Sequence, residues 1–283
     1  MISGLVAALG AAMAWTGASS MWRSLSLFGT AVELNGLKNG LATLLFLPLL
    51  ITLPWTNQFG SVLMLLFSGL IGIGVGDSFH LGGLRRLGTQ RVLTVEASEP
   101  VLANLGGFLL MGDTLQPTSW LGAILVSCSV VLVASQSDVS KSGRGRRLGL
   151  TFSILAVLCG LIGAFMARQA LIVSNFTPFQ SAAVRLLGGW LGLLPVLRGR
   201  LYPEALPPRI IPKILLATVI GTNIGIVLQQ VVFQTLPVGE GVTLMSTAPV
   251  MALLISRMEG EMVQWRGVAA AVFVVFGVAL SSL

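Results

Sequence analysis

The sequence is built almost wholly from apolar runs long enough to cross a bilayer. A helix crossing the roughly 30 Å hydrocarbon core needs about 20 mostly apolar residues, at about 1.5 Å of rise each. Ten runs meet that length: 3–22, 30–51, 61–84, 92–112, 118–135, 149–171, 178–197, 213–235, 240–257 and 265–282. Backbone groups in lipid must be bonded within their own segment, and no run alternates as a barrel strand does, so each run predicts a helix. Only 10% of the 283 residues are charged and 54% are hydrophobic, whereas a water-soluble domain has about a quarter of its residues charged. A soluble enzyme is excluded, and the chain has no polar stretch long enough for an extramembrane domain. The expected fold class is an all-α polytopic membrane protein with ten transmembrane helices.

The net charge of +7 does not point to nucleic acid, because the basic residues stand singly or in short clusters between the runs. Odd-numbered connections and their flanks hold fourteen of them, from Arg23 through Arg85, Arg86 and Arg91 to Arg257 and Arg266, while the even-numbered ones hold only Arg168. By the positive-inside rule the odd loops are expected in the cytoplasm, with both termini outside. Cys128 and Cys159 lie 31 residues apart in apolar runs, which suggests neither a metal site nor a disulfide. The start of the chain lacks a basic n-region and an A-x-A cleavage site, so the first run is expected to be a retained span.

Residues 137–148 (SDVSKSGRGRRL) are rich in glycine, serine and basic residues and fall close to the midpoint. They read as a linker between residues 1–136 and 149–283. The two parts correspond in sequence. Gly4-Leu5 and Arg23 match Gly149-Leu150 and Arg168 at an offset of 145, and Thr30, Lys38 and Pro48 match Thr177, Arg185 and Pro195 at 147. Gly72, Gly76, Pro100 and Val101 match Gly221, Gly225, Pro249 and Val250 at 149, and Gly112-Asp113 matches Gly260-Glu261 at 148. Five spans per copy is an odd number, so the second copy is expected to be inverted, an architecture of secondary transporters.

Each half resembles the EamA-type domain of the drug/metabolite transporter superfamily. The resemblance rests on the small-residue first span with Trp15, a basic residue inside the second span (Lys38, Arg185) and a glycine-rich third span. It continues with a proline and apolar residue in the fourth (Pro100-Val101, Pro249-Val250), then a Gly-acid pair before a tryptophan, Trp120 or Trp265. It implies a ten-helix fold with a central cavity between the halves. It also implies transport of small metabolites or drugs such as amino acids, purines or sugar phosphates, with no enzymatic activity and no cofactor. The chain departs from the usual pattern of the family, in which basic residues follow the second span and the N-terminus is cytoplasmic; here the second connection, 52–59, has none.

Ionisable side chains within spans cost at least about 2.5 kcal/mol near the centre, so they tend to face the bundle interior and mark pathways. Those singled out here are Lys38, Asp77, His80, Glu96, Glu99 and Arg185. Lys38, Asp77 and Glu99 each lie eight residues from a basic or capping residue at the odd-loop end, roughly 12 Å deep, and His80 and Glu96 lie roughly 7 Å deep. Asp77 with His80, and Glu96 with Glu99, have the i, i+3 spacing that puts both on one helix face. Acids this close inside a span compete for charge. One of them is therefore expected to bind and release a proton while Lys38 neutralises another. The bland reading is that Lys38 merely ties two spans together.

Arg185 has no acid at matching depth in its own half. It is expected to snorkel to the interface, the alternative being that it meets a substrate carboxylate or phosphate. Asn223, Gln229 and Gln230 with Thr243, Ser246 and Thr247 give the second half an uncharged polar lining, suited to a small polar solute or to interhelical bonds. Gly72-x-x-x-Gly76 and Gly221-x-x-x-Gly225 are expected at close helix contacts, and Pro100 and Pro249 to kink their spans.

The sequence therefore predicts a plasma-membrane secondary transporter, monomeric or homodimeric. Its partners would be a small-molecule substrate and lipid, with no nucleic acid and no metal. A passive channel, a lipid scramblase and an accessory subunit remain open as alternatives. An intramembrane enzyme is disfavoured, since there is no HExxH, no aspartate-rich motif and only one histidine.

Overall fold

The computed structural model describes residues 2–25, 27–53, 55, 57–87, 92, 95–114, 116–134, 144–198, 206–247 and 265–281. The main helices among these described residues are α1 (Ile2–Leu25), α2 (Ala31–Leu45), α3 (Phe59–Leu87), α4 (Glu99–Met111) and α5 (Pro117–Ala134), then α6 (Arg144–Val173), α7 (Pro178–Leu197), α8 (Pro208–Thr235), α9 (Val238–Met245) and α10 (Trp265–Ser281), with a short helix at Leu47–Ile51 after α2. By length and composition, α3, α6, α7 and α8 each contain a stretch able to cross a membrane. Large apolar side chains such as Val6, Met13, Leu109 and Val275 point outward, as expected for helices in lipid.

The helices pair in a pattern that exchanges the two halves. α1 packs on α8 as α6 packs on α3, while α2 meets α7, α4 meets α9 and α5 meets α10. Small residues make these contacts close, in keeping with the weak hydrophobic drive between helices in lipid. The buried faces of α1 and α6 carry Ala7, Ala8 and Ala11, and Ala164, Ala167 and Ala170. The glycine pairs stand at such contacts as expected, Gly72 against Gly163 of α6 and Gly221 against Ala18 of α1.

Both third spans widen into a π-helical segment at the same repeat position, Gly69–Gly76 in α3 and Thr218–Ile224 in α8. A π segment lets carbonyls tilt out of the helix ladder and recurs at functional sites. The starts of α2 and α7 correspond too. Thr30 and Glu33 form a reciprocal capping box, as do Thr177 and Gln180. α4 ends at Gly112, whose φ of 70° is the left-handed conformation that glycine tolerates.

One expectation is corrected. Pro100 does not kink a continuous span, because the helical run 95–96 breaks at Ala97 and Ser98, and α4 begins at Glu99. In the first turn of α4 the missing proline N–H would have had no intrahelical partner, so the residue fits without bending the helix. Pro249, the Gly260-Glu261 pair, Arg91, Arg200, Arg257 and most of the linker, Lys141 included, lie outside the described residues.

Candidate functional site

The polar side chains of α2 recur every four residues as Asn35, Asn39 and Thr43, a stripe along one face with Lys38 beside it. That face turns inward, and all three stripe residues are buried. Asn35 Nδ2 donates to the carbonyls of Ile73 (3.0 Å) and Gly74 (3.1 Å) and lies 3.1 Å from Ser78 Oγ. Those carbonyls belong to the widened turn of α3, and Gly74 also accepts from Ser78 Oγ at 2.7 Å. Asn39 Nδ2 donates to Asn35 Oδ1 at 3.2 Å, extending the stripe one turn deeper.

The residues placed at equal depth by the sequence are brought together. Lys38 Nζ meets Asp77 Oδ2 at 2.5 Å, with 16% and 39% of the two side chains exposed. His80 Nδ1 meets Glu96 Oε1 at 2.5 Å, with exposures of 36% and 22%. Asp77 and His80 share a face of α3 one turn apart. Glu96 and Glu99 do not share a continuous helix, because of the break before α4. Even so, Glu96 and His80 are the charged groups acting on Glu99. Among the described residues Glu99 forms no ion pair. Asp77 and His80 keep part of their surface exposed.

Arg185 is not at an interface. It is 3% exposed, the reverse of the snorkelling expected from its sequence position. The cause is the crossing of α3 and α7, where Gly69 and Gly188 allow backbone-to-backbone approach and enclose the side chain. Arg185 Nε donates to Ser68 Oγ (2.9 Å) and Nη1 to Gln229 Oε1 (2.8 Å), while Ser68 donates to the Gly163 carbonyl at 2.6 Å. Asp77 is the acid whose field reaches the guanidinium.

The rest of the expected polar lining is mostly committed to protein partners. Gln230 accepts from Ser181 Oγ at 2.8 Å, and Asn223 Nδ2 donates across the halves to the Ala42 carbonyl at 3.0 Å. Thr243 and Thr247 bond carbonyls of their own helix segment, at 2.8 and 2.9 Å. Ser246, which follows α9, is half-buried.

A second polar cluster, not anticipated as a group, closes the even-loop end. Arg168 Nη1 donates to the carbonyl of Phe233 at 2.8 Å and to that of Leu236, capping the end of α8. Asp113 and Glu240 are the acids acting on it. Glu240 Oε1 accepts from Ser119 Oγ at 3.3 Å, and Asn104 Nδ2 donates to the Ser119 carbonyl at 3.4 Å. Arg168 Nε and Asp113 Oδ2 are buried with no hydrogen-bond partner. The signal available in the sequence was that Arg168 is the one basic residue of the even loops and that Glu240 opens the ninth run. A separate groove lined by Val101, Val131, Leu132 and Phe273 is apolar and holds none of these charged groups.

No curated protein matches the sequence. A solved crystal structure aligns with 100% of the chain and 97% of its own, with a TM-score of 0.81 at 14% identity, a likeness of fold alone. The EamA-like transporter family matches residues 2–135 and again residues 147–283, one match on each half. The chain is therefore a non-enzymatic, multi-pass membrane transporter and belongs to the EamA-like transporter family.

Proposed function

We propose that the protein is a secondary active transporter that carries a small metabolite, an amino acid or similar solute, across the plasma membrane by alternating access coupled to protons. The observation that carries this reading is the cluster of Lys38–Asp77, His80–Glu96 and Glu99 inside the spans, apart from the Arg168 cluster at the even-loop end. An inverted pair of helical repeats that rock about a central site exposes that site to one side at a time. With Lys38 taken by Asp77, proton exchange falls to Glu96 and Glu99. In the orientation given by the basic loops, the end nearer this cluster is cytoplasmic.

The test begins with a metabolite comparison of cells lacking and overproducing the protein, followed by counterflow of the accumulated compound in proteoliposomes. Glu96→Gln and Glu99→Gln, singly and together, are expected to abolish the pH change that accompanies uptake. Unchanged proton movement in the double variant defeats the coupling, and flux without saturable counterflow identifies a channel or scramblase instead.

A further inference from the structure

The polar side chains at the even-loop end form one connected set across five helices. Arg168 of α6 donates to the Phe233 and Leu236 carbonyls at the end of α8, where a cation also answers the negative end of the helix dipole. Only Pro237 separates Leu236 from α9, which starts at Val238, so Arg168 holds the α8–α9 joint. Just past that joint Glu240 accepts from Ser119 of α5, whose backbone carbonyl takes the amide of Asn104 on α4. Gly239 sits so close to α4 that a Cβ there would lie 2.8 Å from Asn104 Cα. Asn104 and Ser119 are 0% and 4% exposed, and Arg168 Nε and Asp113 Oδ2 are buried as well, so the set is closed to water.

Among the described residues, the hydrogen bonds that a side chain makes between the halves fall in two places. In the middle are Arg185 to Ser68, Ser68 to the Gly163 carbonyl and Asn223 to the Ala42 carbonyl. At the even end are Ser119 to Glu240 and the Asn175 N–H to Gln58. Towards the odd end, the Lys38–Asp77 and His80–Glu96 pairs each join elements of the first half alone. The Arg86 guanidinium lies over the Phe152 ring at 4.6 Å, but it links α3 to α6, its own packing partner. Parting the halves at the even end therefore breaks hydrogen bonds, whereas parting them at the odd end breaks none of these. The even-end contacts are also of a kind that can break and re-form. Asp113 and Glu240 act on Arg168 from a distance, yet neither forms an ion pair with it among the described residues, and a single hydrogen bond is far cheaper to release than a buried ion pair.

We propose that this set is a latch on the even-loop end: Arg168 on the α8–α9 joint and Glu240 on Ser119 hold the halves together there, and their release opens the transport path on that side. This rests on the alternating-access reading above and names the residues that set which side is open. Arg168 acts as a positioning residue, since it touches the carbonyls of the joint and through the joint fixes where Glu240 meets Ser119. Among the described residues the set shares no hydrogen bond with Lys38, Asp77, His80, Glu96 or Glu99, so it can be weakened without touching the groups assigned to proton exchange.

The test uses the full-length protein in proteoliposomes, in a Cys128→Ser, Cys159→Ser background, with spin labels on introduced cysteines and distances read by double electron–electron resonance. One pair, Val173→Cys with Gln234→Cys, spans the even end from α6 to α8, and the other, Leu27→Cys with Leu148→Cys, spans the odd end; all four positions are exposed. Arg168→Gln and, separately, Ser119→Ala are expected to raise the ratio of long to short even-end distances roughly tenfold, the scale of one lost hydrogen bond to a charged group, while the odd-end distances shorten. Arg168→Lys, which keeps the charge and a donor, should fall between Arg168→Gln and the parent. Where Arg168→Gln does not reconstitute, Ser119→Ala decides alone. Unchanged distances overturn the latch, and so does lengthening at the even end without shortening at the odd end, which is the loosening a purely structural role would give. Counterflow of a labelled metabolite extract by the native protein is measured alongside. Exchange with unchanged distances leaves the transporter reading standing without the latch, and no exchange of any solute defeats that reading itself.

Discussion

The crossing of α3 and α7, which come from different halves, is a backbone-to-backbone contact that a single methyl group would break. A Cβ on Gly188 would fall on the Leu66 carbonyl oxygen, with Leu66 Cα and carbonyl carbon at 2.8 Å; one on Gly69 would fall on the Arg185 carbonyl oxygen, with Arg185 Cα at 2.8 Å. Backbone cannot swing aside as a side-chain end can, so the helices must separate. A gap of about 1 Å forfeits up to about half of the dispersion energy of each contact it opens, and overpacking of this kind costs about 1–3 kcal/mol. The Arg185–Ser68 bond, 2.9 Å long, spans the same crossing. Stretching it leaves a buried donor unmet and adds about 1–3 kcal/mol. Gly188→Ala is therefore expected to lower the Tm of the purified protein in detergent by about 5 °C or more, and Gly69→Ala to do the same. Gly160→Ala is the control, since its Cβ would make only an ordinary contact at 3.6 Å and removes the conformational cost of a helical glycine, worth about 1 kcal/mol. Equal Tm values for the Gly188→Ala and Gly160→Ala proteins would refute the reasoning.

Three further outcomes follow from the hydrogen bonds. Asn35→Ala removes the side-chain donor to the Ile73 carbonyl and one of the two to the Gly74 carbonyl, which keeps Ser78 Oγ, and should cost about 1–3 kcal/mol in the same thermal assay. Lys38→Met and Asp77→Asn should each destabilise more than the double variant does; because the pair is partly exposed, the coupling from the double-mutant cycle should be about 1 kcal/mol. Arg168→Gln removes the charged donor to the Phe233 and Leu236 carbonyls, and amide exchange around the α8–α9 junction should accelerate by roughly tenfold or more.

What could be read from the sequence was what depends on position along a helix. Lys38 stands eight residues after its cap Thr30 and Asp77 eight before Arg85, so equal rise places them at equal depth, and they meet at 2.5 Å. The same arithmetic paired His80 with Glu96. What could not be read depends on how closely two helices cross. Residue counts place Arg185 near one end of its helix, where a long cation snorkels freely, and nothing in the local sequence tells that Gly69 and Gly188 draw α3 over it. The asparagine stripe on α2, a period of four, was not singled out, and its partners are carbonyls in the π turn of α3, which no residue pattern announces. Pro100 looked central because the apolar run begins well before the helix does.

The repeat also says why the charges are unequal between halves. Lys38 and Arg185 are equivalent by sequence, yet the counterpart of Asp77 is Ile226 and that of His80 is Gln229. The backbone follows the repeat in its caps, its π turns and its exchanged helix pairs, while the positions of Asp77, Glu96 and Glu99 carry Ile226, Met245 and Ala248 in the second copy. A symmetric frame needs matching shape to present its centre to either side of the membrane in turn. The charges do not follow that symmetry: Lys38 is paired with Asp77, whereas Arg185 bonds the neutral Ser68 and Gln229. Ile226→Asp, at the repeat position of Asp77, should therefore supply Arg185 with an internal partner. Ile226 packs against the buried cluster of Ala42, Ile73 and Leu186, so the carboxylate should lower the Tm, and by less in the native background than in Arg185→Gln; equal losses would show that it does not reach Arg185.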